Sequence, residues 1–386
     1  MAQENPSELN NKNTARKWRS NTLAECMAAR GHLVTRWRSS FSHQRKVQLV
    51  QGSSFLAHDN YFHQFIEARS YLGHISLKRI LSHIDLGRKF TVLAENKNEK
   101  PDLVHVANVP IELAFSVAKF CKRYEIKYII DVRDLWPDIY ADLIPRKLIL
   151  LRLIVRFLIN IVYKRRIKFI YKNALGITAL TNSFLFWSLS KIRRKKSNMD
   201  YIFPMSFNNN NKLPSQVALN DFYTKYKIKK DSIIITYAGN IGYQSDFYTI
   251  LNSAKYIQNK FPNIIFIFAG TGPLLLTLKT KYSSLTNTIF TDWLDGEYLS
   301  ILLYISSIGL IPYKNEINYL LNIPNKFPEY LSYGNAIACG VQGEMADLVD
   351  RHSLGFIYKE GNQNDFITKL EAFLDKPENL KNSQEA

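Results

Sequence analysis

Lys326 and Glu329 stand three residues apart in PNKFPEYLSYG (Pro324 to Gly334), the sharpest chemical feature of this 386-residue sequence. An ammonium beside helix-start amides suits a diphosphate, and a carboxylate one turn on can accept hydrogen bonds from ribose hydroxyls. A Lys–Glu pair so spaced is ordinarily a solvated helix pair. Here Asn325, Lys326 and Glu329 open a helix between two apolar runs, Ile308 to Pro312 and Ala336 to Cys339. Two glycine-bearing turns lie in the same half: AGNIG, with Gly239, Asn240 and Gly242, and GTGP, with Gly270 and Gly272. A missing side chain lets a phosphate or ribose approach the main chain, although glycine also serves strand-to-helix turns for purely structural reasons. In the first half, DVRDLWPD groups Asp131, Arg133 and Asp134. Two carboxylates flanking a guanidinium can orient hydroxyls or a phosphate and offer a base, or form an ion-pair network.

These residues need strand ends to hold them. Short apolar runs at His32 to Trp37, Lys46 to Gln51, Asp102 to Ala107, Lys127 to Asp131 and Leu175 to Ala179 alternate with helical patterns such as Ile111 to Tyr124. The second half repeats the alternation with Ser232 to Tyr237, Asn263 to Ala269, Thr288 to Phe290, Ile308 to Pro312, Ala336 to Cys339 and Gly355 to Tyr358. Alternating strand and helix mean parallel sheets covered by helices. The polar stretch FNNNNKLPSQ marks the junction, giving domains 1–203 and 204–386. The expected architecture is α/β, two Rossmann-like doubly wound domains facing a cleft, with ligands beyond the carboxyl ends of the strands.

Charge is distributed unevenly. Residues 1–200 hold 35 Lys+Arg against 16 Asp+Glu, and residues 201–386 hold 16 against 17, so the first half carries the whole excess. Such asymmetry points to a polyanion facing the first half. Nine Lys/Arg lie among Leu, Ile, Val and Phe between Arg146 and Lys172, with no acidic residue between Asp142 and Asp200. Arg152 and Arg156 share one helical face, and Leu148, Leu151, Ile154, Val155, Leu158 and Val162 can form another. A transmembrane span needs about 20 mostly apolar residues, and the two arginines interrupt this run near its middle. Lying on an anionic membrane surface is the expectation, with an ordinary core helix as the bland alternative. Nucleic acid is not expected, because no recognised binding motif is present.

Other classes lose support in turn. Cys26, Cys121 and Cys339 are odd in number and far apart, which argues against a disulfide framework and against a zinc site. The start MAQENPSELNNKN lacks a secretory signal pattern, and a cytoplasmic protein, peripheral on the inner face of the membrane, is expected. Neither G-x-G-x-x-G nor a Walker loop occurs, so a nicotinamide-dependent epimerase or dehydrogenase and a P-loop enzyme lack their evidence.

In order, YAGNIG, FAGTGP and IPNKFPEYLSYGNAIACGVQGEMADLV resemble the donor-binding half of retaining glycosyltransferases of the GT-B fold, family 4. RGHLVTRWRSSFSHQRK and IDVRDLWPDIY resemble the bacterial surface-polysaccharide, L-FucNAc transferase-like branch of that family. The resemblance implies a nucleotide diphosphate sugar bound by the C-terminal domain, an acceptor bound by the N-terminal domain, and no metal or cofactor. It implies a donor set of Gly239, Asn240, Gly242, Gly270, Gly272, Trp293, Leu294, Asn325, Lys326, Glu329 and Tyr330. Trp293 and Leu294 match the stretch whose backbone contacts the base, and Glu329 matches the second glutamate of the E-x7-E motif, which holds the ribose. The first glutamate falls on Leu321 and is absent, and Asn240 stands where the family commonly has Arg, leaving Lys326 as the cation for the diphosphate. The catalytic set is Asp131, Arg133, Asp134 and Lys326; acceptor candidates are His43, Lys46, His105 and Asp131. His105 matches the first histidine of a His-x-His pattern whose second position is Ala107, so a core histidine is an equal reading.

The resemblance implies front-face transfer, in which electrostatic stabilisation of the departing diphosphate is the main protein contribution and no covalent nucleophile is needed. The expected reaction moves a HexNAc-type sugar from a UDP-sugar onto a lipid-linked oligosaccharide of O-antigen or capsule. The alternative is a catalytically degenerate, membrane-associated scaffold. The family's opening apolar strand precedes an R-x-x-x-L-A helix; MAQENPSELNNKNTARKW has no apolar run, so that strand is expected to be missing. Likewise the chain stops at NLKNSQEA, where relatives continue into helices that cross back, so divergence or shortening at both ends is expected.

Overall fold

The computed structural model describes residues 19–42, 47–50, 54–58, 60–71, 76–142, 144, 147–205, 213–376 and 378. The chain forms two compact units, Met1–Pro204 and Met205–Ala386. The first contains, in order, α1 (Arg19–Ala29), β1 (Val34–Ser39), β2 (Phe41–Ser42), β3 (Val47–Gln48), β4 (Ser54–His58), β5 (Tyr61–Ile66), α2 (Leu77–Glu95), β6 (Leu103–Ala107), α3 (Ile111–Arg123), β7 (Lys127–Val132), α4 (Ile139–Asp142), α5 (Ile149–Lys172), β8 (Gly176–Ala179), α6 (Asn182–Ile192) and β9 (Tyr201–Ile202). The second contains α7 (Gln216–Tyr226), β10 (Ile233–Ala238), α8 (Phe247–Lys260), β11 (Ile264–Ala269), α9 (Leu275–Lys281), β12 (Thr288–Asp292), α10 (Gly296–Ile305), β13 (Ile308–Ile311), α11 (Ile317–Leu320), α12 (Lys326–Ser332), β14 (Ala336–Cys339), α13 (Glu344–Arg351), β15 (Gly355–Ile357) and α14 (Gln363–Leu374).

The second unit is one parallel sheet of order β12-β11-β10-β13-β14-β15. Its strands read as continuous apolar runs because both faces are covered: Ile235, Tyr237, Phe266, Phe268, Leu310 and Ala338 pack with α8 and α14 residues in one cluster. Ile234 and Ile267 pack on the other face with Ile301 and Leu302 of α10. The chain runs outward from β10 to β12 and then returns to β13 on the other side of β10. The carboxyl ends of β10 and β13 therefore form the topological switch point, the usual place for a ligand in such sheets.

The strands of the first unit fall into separate sheets. One is parallel, β6-β7-β8-β9; another is β1-β5-β4, in which β1 and β5 are parallel and β4 and β5 antiparallel. Among the described residues β1 and β6 each keep one unpaired edge, and no described strand joins the two sheets. The expected strand at Lys46 to Gln51 is corrected here. Its described part gives the two-residue β3, antiparallel to β2 and outside both larger sheets.

Helix α5 departs from the pattern of a core helix. Leu150, Leu151, Leu153, Ile154, Phe157, Leu158, Ile161 and Val162 are all exposed, Phe157 by 65%. Some of its polar side chains bond to the protein instead: Arg152 Nε donates to Ala141 O at 3.2 Å, and Tyr163 Oη donates to Glu112 Oε1 at 3.1 Å. Only its last turns bury apolar groups, at Ile167, Ile170 and Tyr171. Among the described residues no helix is long and apolar enough to cross a membrane.

Candidate functional site

At the switch point of the second unit, β10 ends in Ala238 and the chain turns at Gly239, whose φ of +145° lies where a side chain is strained. Lys326, the first residue of α12, comes to this turn from the far side of the sequence. Its Nζ lies 3.9 Å from the centre of the Tyr237 ring and 4.9 Å from that of Tyr313, and a Cβ on Gly239 would sit 3.2 Å from it. The ammonium is thus set between two aromatic faces, which attract a cation, and against bare backbone. Tyr330 fixes α12 in this position: its hydroxyl accepts from Ala238 N–H at 2.9 Å, and a Cβ on Gly309 would strike its ring at 2.3 Å. Lys326, Glu329 and Tyr330 are all buried, and Asn325 stands just before them at the cap position. Lys326, Glu329, Tyr330 and the Gly239 turn therefore belong to one neighbourhood.

The two glycine turns interlock. A Cβ on Gly270 would lie 1.9 Å from Gly239 O, and Gly270 itself has φ +135°. The Gly239 N–H donates to Ala269 O at 2.8 Å and the Gly270 N–H to Asp292 O at 2.7 Å. Those two amides extend the sheet, and Gly270 is required by the turn packed against it. Gly272 abuts Ile241 O in the same way, while the Asn240 side chain lies against Gly242 and Gly272. Asn240 also holds the turn through its carbonyl, which accepts from Tyr237 Oη at 2.7 Å. Trp293 follows β12 and is 65% exposed; Leu294 packs partly into the core beneath. Leu321 lies at the end of α11.

In the first unit, β7 carries Asp131 at its carboxyl end, and Arg133 and Asp134 follow it. Asp131 is buried and held by Arg19 of α1 through two bonds, Nη1–Oδ2 at 2.6 Å and Nη2–Oδ1 at 2.9 Å. Thr178 Oγ1 of β8 donates to Oδ1 at 2.8 Å. Burial pushes the Asp131 carboxyl up, but the Arg19 bonds and charge, with help from His105 and Arg133, outweigh it and hold the pKa below the usual carboxylate value. With both oxygens engaged, Asp131 orients its surroundings in this arrangement. Arg133 Nε lies 3.9 Å from Asp131 Oδ2. Asn108, at the end of β6, clamps the loop: its Oδ1 accepts from Arg133 N–H at 3.1 Å and its Nδ2 donates to Asp134 O at 2.8 Å. His105 is exposed on β6, its Nε2 3.4 Å from Thr178 Oγ1, which corrects the reading of it as a core histidine. His43 and Lys46 lie outside the described residues. Among the described residues no group of His, Cys, Asp and Glu could hold a metal ion.

Sequence reading missed Arg19, Asn108, Thr178, Tyr237 and Tyr313. Arg19 is the arginine of the R-x-x-x-L-A pattern, so its spacing was visible and its partner, 112 residues away, was not.

Residues 221–386 match the family of Glycosyl transferases group 1. No curated protein matches the chain. Among solved structures, sucrose-phosphate synthase from Thermosynechococcus elongatus superposes with a TM-score of 0.71 at 14% identity, covering 95% of this chain and 86% of that one. WaaG, a glycosyltransferase involved in lipopolysaccharide biosynthesis, gives 0.60 at 12% identity over 95% and 90%. HepE from Anabaena, in complex with UDP, gives 0.58 at 11% identity over 84% and 80%. The fold is GT-B, with two Rossmann-like units, and the match over the second unit supports glycosyl transfer as the chemistry.

Proposed function

We propose that this chain is a retaining, metal-independent glycosyltransferase of the surface-polysaccharide branch. It moves a HexNAc-type sugar from a UDP-sugar, held by the second unit, onto a lipid-linked oligosaccharide handled by the first. The observation that carries the reading is Lys326, buried between Tyr237 and Tyr313 against the Gly239 turn, with Glu329 on the same short helix. A cation preset beside the Gly239 turn at the switch point stabilises a departing diphosphate, because it is already in place when the charge develops. HepE in complex with UDP, on a similar fold, supports a uridine nucleotide as the donor. In calorimetric titration of the full chain with UDP, GDP, ADP and TDP, UDP is expected to bind saturably and Glu329→Ala to weaken it by about tenfold. No binding of any nucleotide to the folded chain would sink this reading and favour the scaffold.

The same reading places the protein on the inner face of the cytoplasmic membrane, through α5. Its outward face is apolar over the first turns, with the exposed Lys147 just before the helix and the exposed Lys164, Arg165, Lys168 and Lys172 along its second half. Apolar groups entering the acyl boundary and cations meeting anionic headgroups act together in such a helix. The double variant Leu150→Glu/Phe157→Glu is expected to lower partition onto phosphatidylglycerol vesicles by at least about tenfold, since each large side chain buried contributes about 1.5–3 kcal/mol. Equal sedimentation of both proteins with these vesicles would refute the assignment.

A further inference from the structure

In the first unit the fold holds one charged group in place without using its hydrogen-bonding capacity. We infer that Arg133 seats a phosphate of the lipid-linked acceptor, an assignment that rests on the transfer reading above.

The backbone on either side of Arg133 is fixed. Asn108, itself buried, takes the Arg133 N–H and gives its Nδ2–H to Asp134 O, and its own N–H donates to Asp131 O at 2.9 Å. The guanidinium therefore starts from a rigid point at the carboxyl end of a parallel strand, where ligands of such sheets bind. Its side chain is only 16% exposed. The nearest carboxylate, Asp131, is already bound at both oxygens by Arg19 and at one by Thr178, and offers Arg133 a contact at 3.9 Å. Among the described residues the guanidinium nitrogens of Arg133 make no hydrogen bond.

Among the described residues, the charges acting on Arg133 are those of Arg19 and Arg36 and of two carboxylates, Asp131 and Asp134, and Arg36 donates to Ser20 Oγ at 3.0 Å. His105 faces the same carboxylate from β6. Burial disfavours the Arg133 cation and pushes its pKa down. A largely buried, rigidly mounted fork whose nitrogens make no hydrogen bond to a described residue suits an oxyanion that can accept two parallel bonds. A phosphate monoanion or diphosphate has that geometry, and the proposed lipid-linked acceptor offers one where its sugar is joined to the lipid through a diphosphate.

The test is calorimetric titration of the full chain with geranyl diphosphate, a short prenyl diphosphate, at saturating UDP so that the Lys326 region is filled. Inorganic phosphate and glucuronate are run as competitors. Geranyl diphosphate is expected to bind saturably, about tenfold or more weakly in Arg133→Gln, and with an intermediate loss in Arg133→Lys, which keeps the charge and loses the fork. UDP affinity is expected to be unchanged in both variants, and should Arg133→Gln fail to fold, Arg133→Lys gives the same reading. Equal affinity in the wild type and the variants, or no binding at all, overturns the assignment. Inorganic phosphate competing as well as the prenyl diphosphate, or glucuronate competing better, overturns its lipid-linked phosphate form. Failure of UDP to bind would strike the transfer reading instead. The titration repeated in a Lys326→Ala background still reads Arg133 in that event.

Discussion

Replacing Lys326 by Met is expected to lower the turnover number for sugar transfer by about 10²–10³-fold, the usual cost of removing one preset stabiliser of developing charge. Met preserves most of the stem that lies between Tyr237 and Tyr313, so the change removes the ammonium more than the packing. The effect should fall on kcat more than on KM, because the diphosphate gains negative charge as it departs and the cation matters most at that moment. Lys326→Arg is expected to recover only part of the loss. A planar guanidinium is wider than an ammonium, and a Cβ-sized group at Gly239 already comes within 3.2 Å of Nζ. The measurement is steady-state transfer from the UDP-sugar that gives turnover with the wild type, together with UDP affinity. Full kcat in Lys326→Met would remove Lys326 from the mechanism.

This region was legible in the sequence for a physical reason. A sheet covered on both faces writes its strands as apolar runs, and the motifs stand at the ends of those runs, so the sequence alone puts Gly239, Gly270 and Lys326 beyond strand ends of one domain. What the runs do not contain is lateral order. That Gly270 is glycine because Gly239 O occupies the space of its Cβ depends on two turns meeting across adjacent strands. Tyr237 and Tyr313 likewise look like ordinary strand-end aromatics until Lys326 is set between them. In α5 the periodicity showed a basic and an apolar face, and the inside-out rule for soluble helices would have turned the apolar one inward. The structure turns it out, because Ala141 O and Glu112 supply polar partners on the protein side. Periodicity fixes which residues share a face, and the neighbouring elements decide which face meets solvent.

Asp131→Asn is expected to destabilise the first unit by about 3–5 kcal/mol at neutral pH, because it strips a buried guanidinium of its counter-ion while leaving the guanidinium in place. Arg19 and Asp131 are 3% and 4% exposed at their side chains, so water replaces little of the lost interaction. The pair also joins α1 to β7, two elements that no hydrogen-bonded ladder connects among the described residues. Since the folded carboxyl titrates below its unfolded counterpart, its contribution is whole above the unfolded value of about 4 and is lost as pH falls through the lower folded value. A second group acts at higher pH. Burial, followed by the Arg79 charge, lowers the His83 pKa to about 4, so stability also declines from the unfolded histidine value of about 6.5 downward. Urea midpoints followed by tryptophan fluorescence, to which this unit contributes Trp18, Trp37, Trp136 and Trp187 and the other unit only Trp293, should therefore show two acid limbs in the wild type. In Asp131→Asn the midpoint at pH 7 should be much lower, the limb between pH 6.5 and 4 retained, and the limb below 4 flattened. A variant as stable as the wild type at pH 7, with the same limb below 4, would show that Arg19 and Asp131 contribute nothing to holding α1 on the sheet.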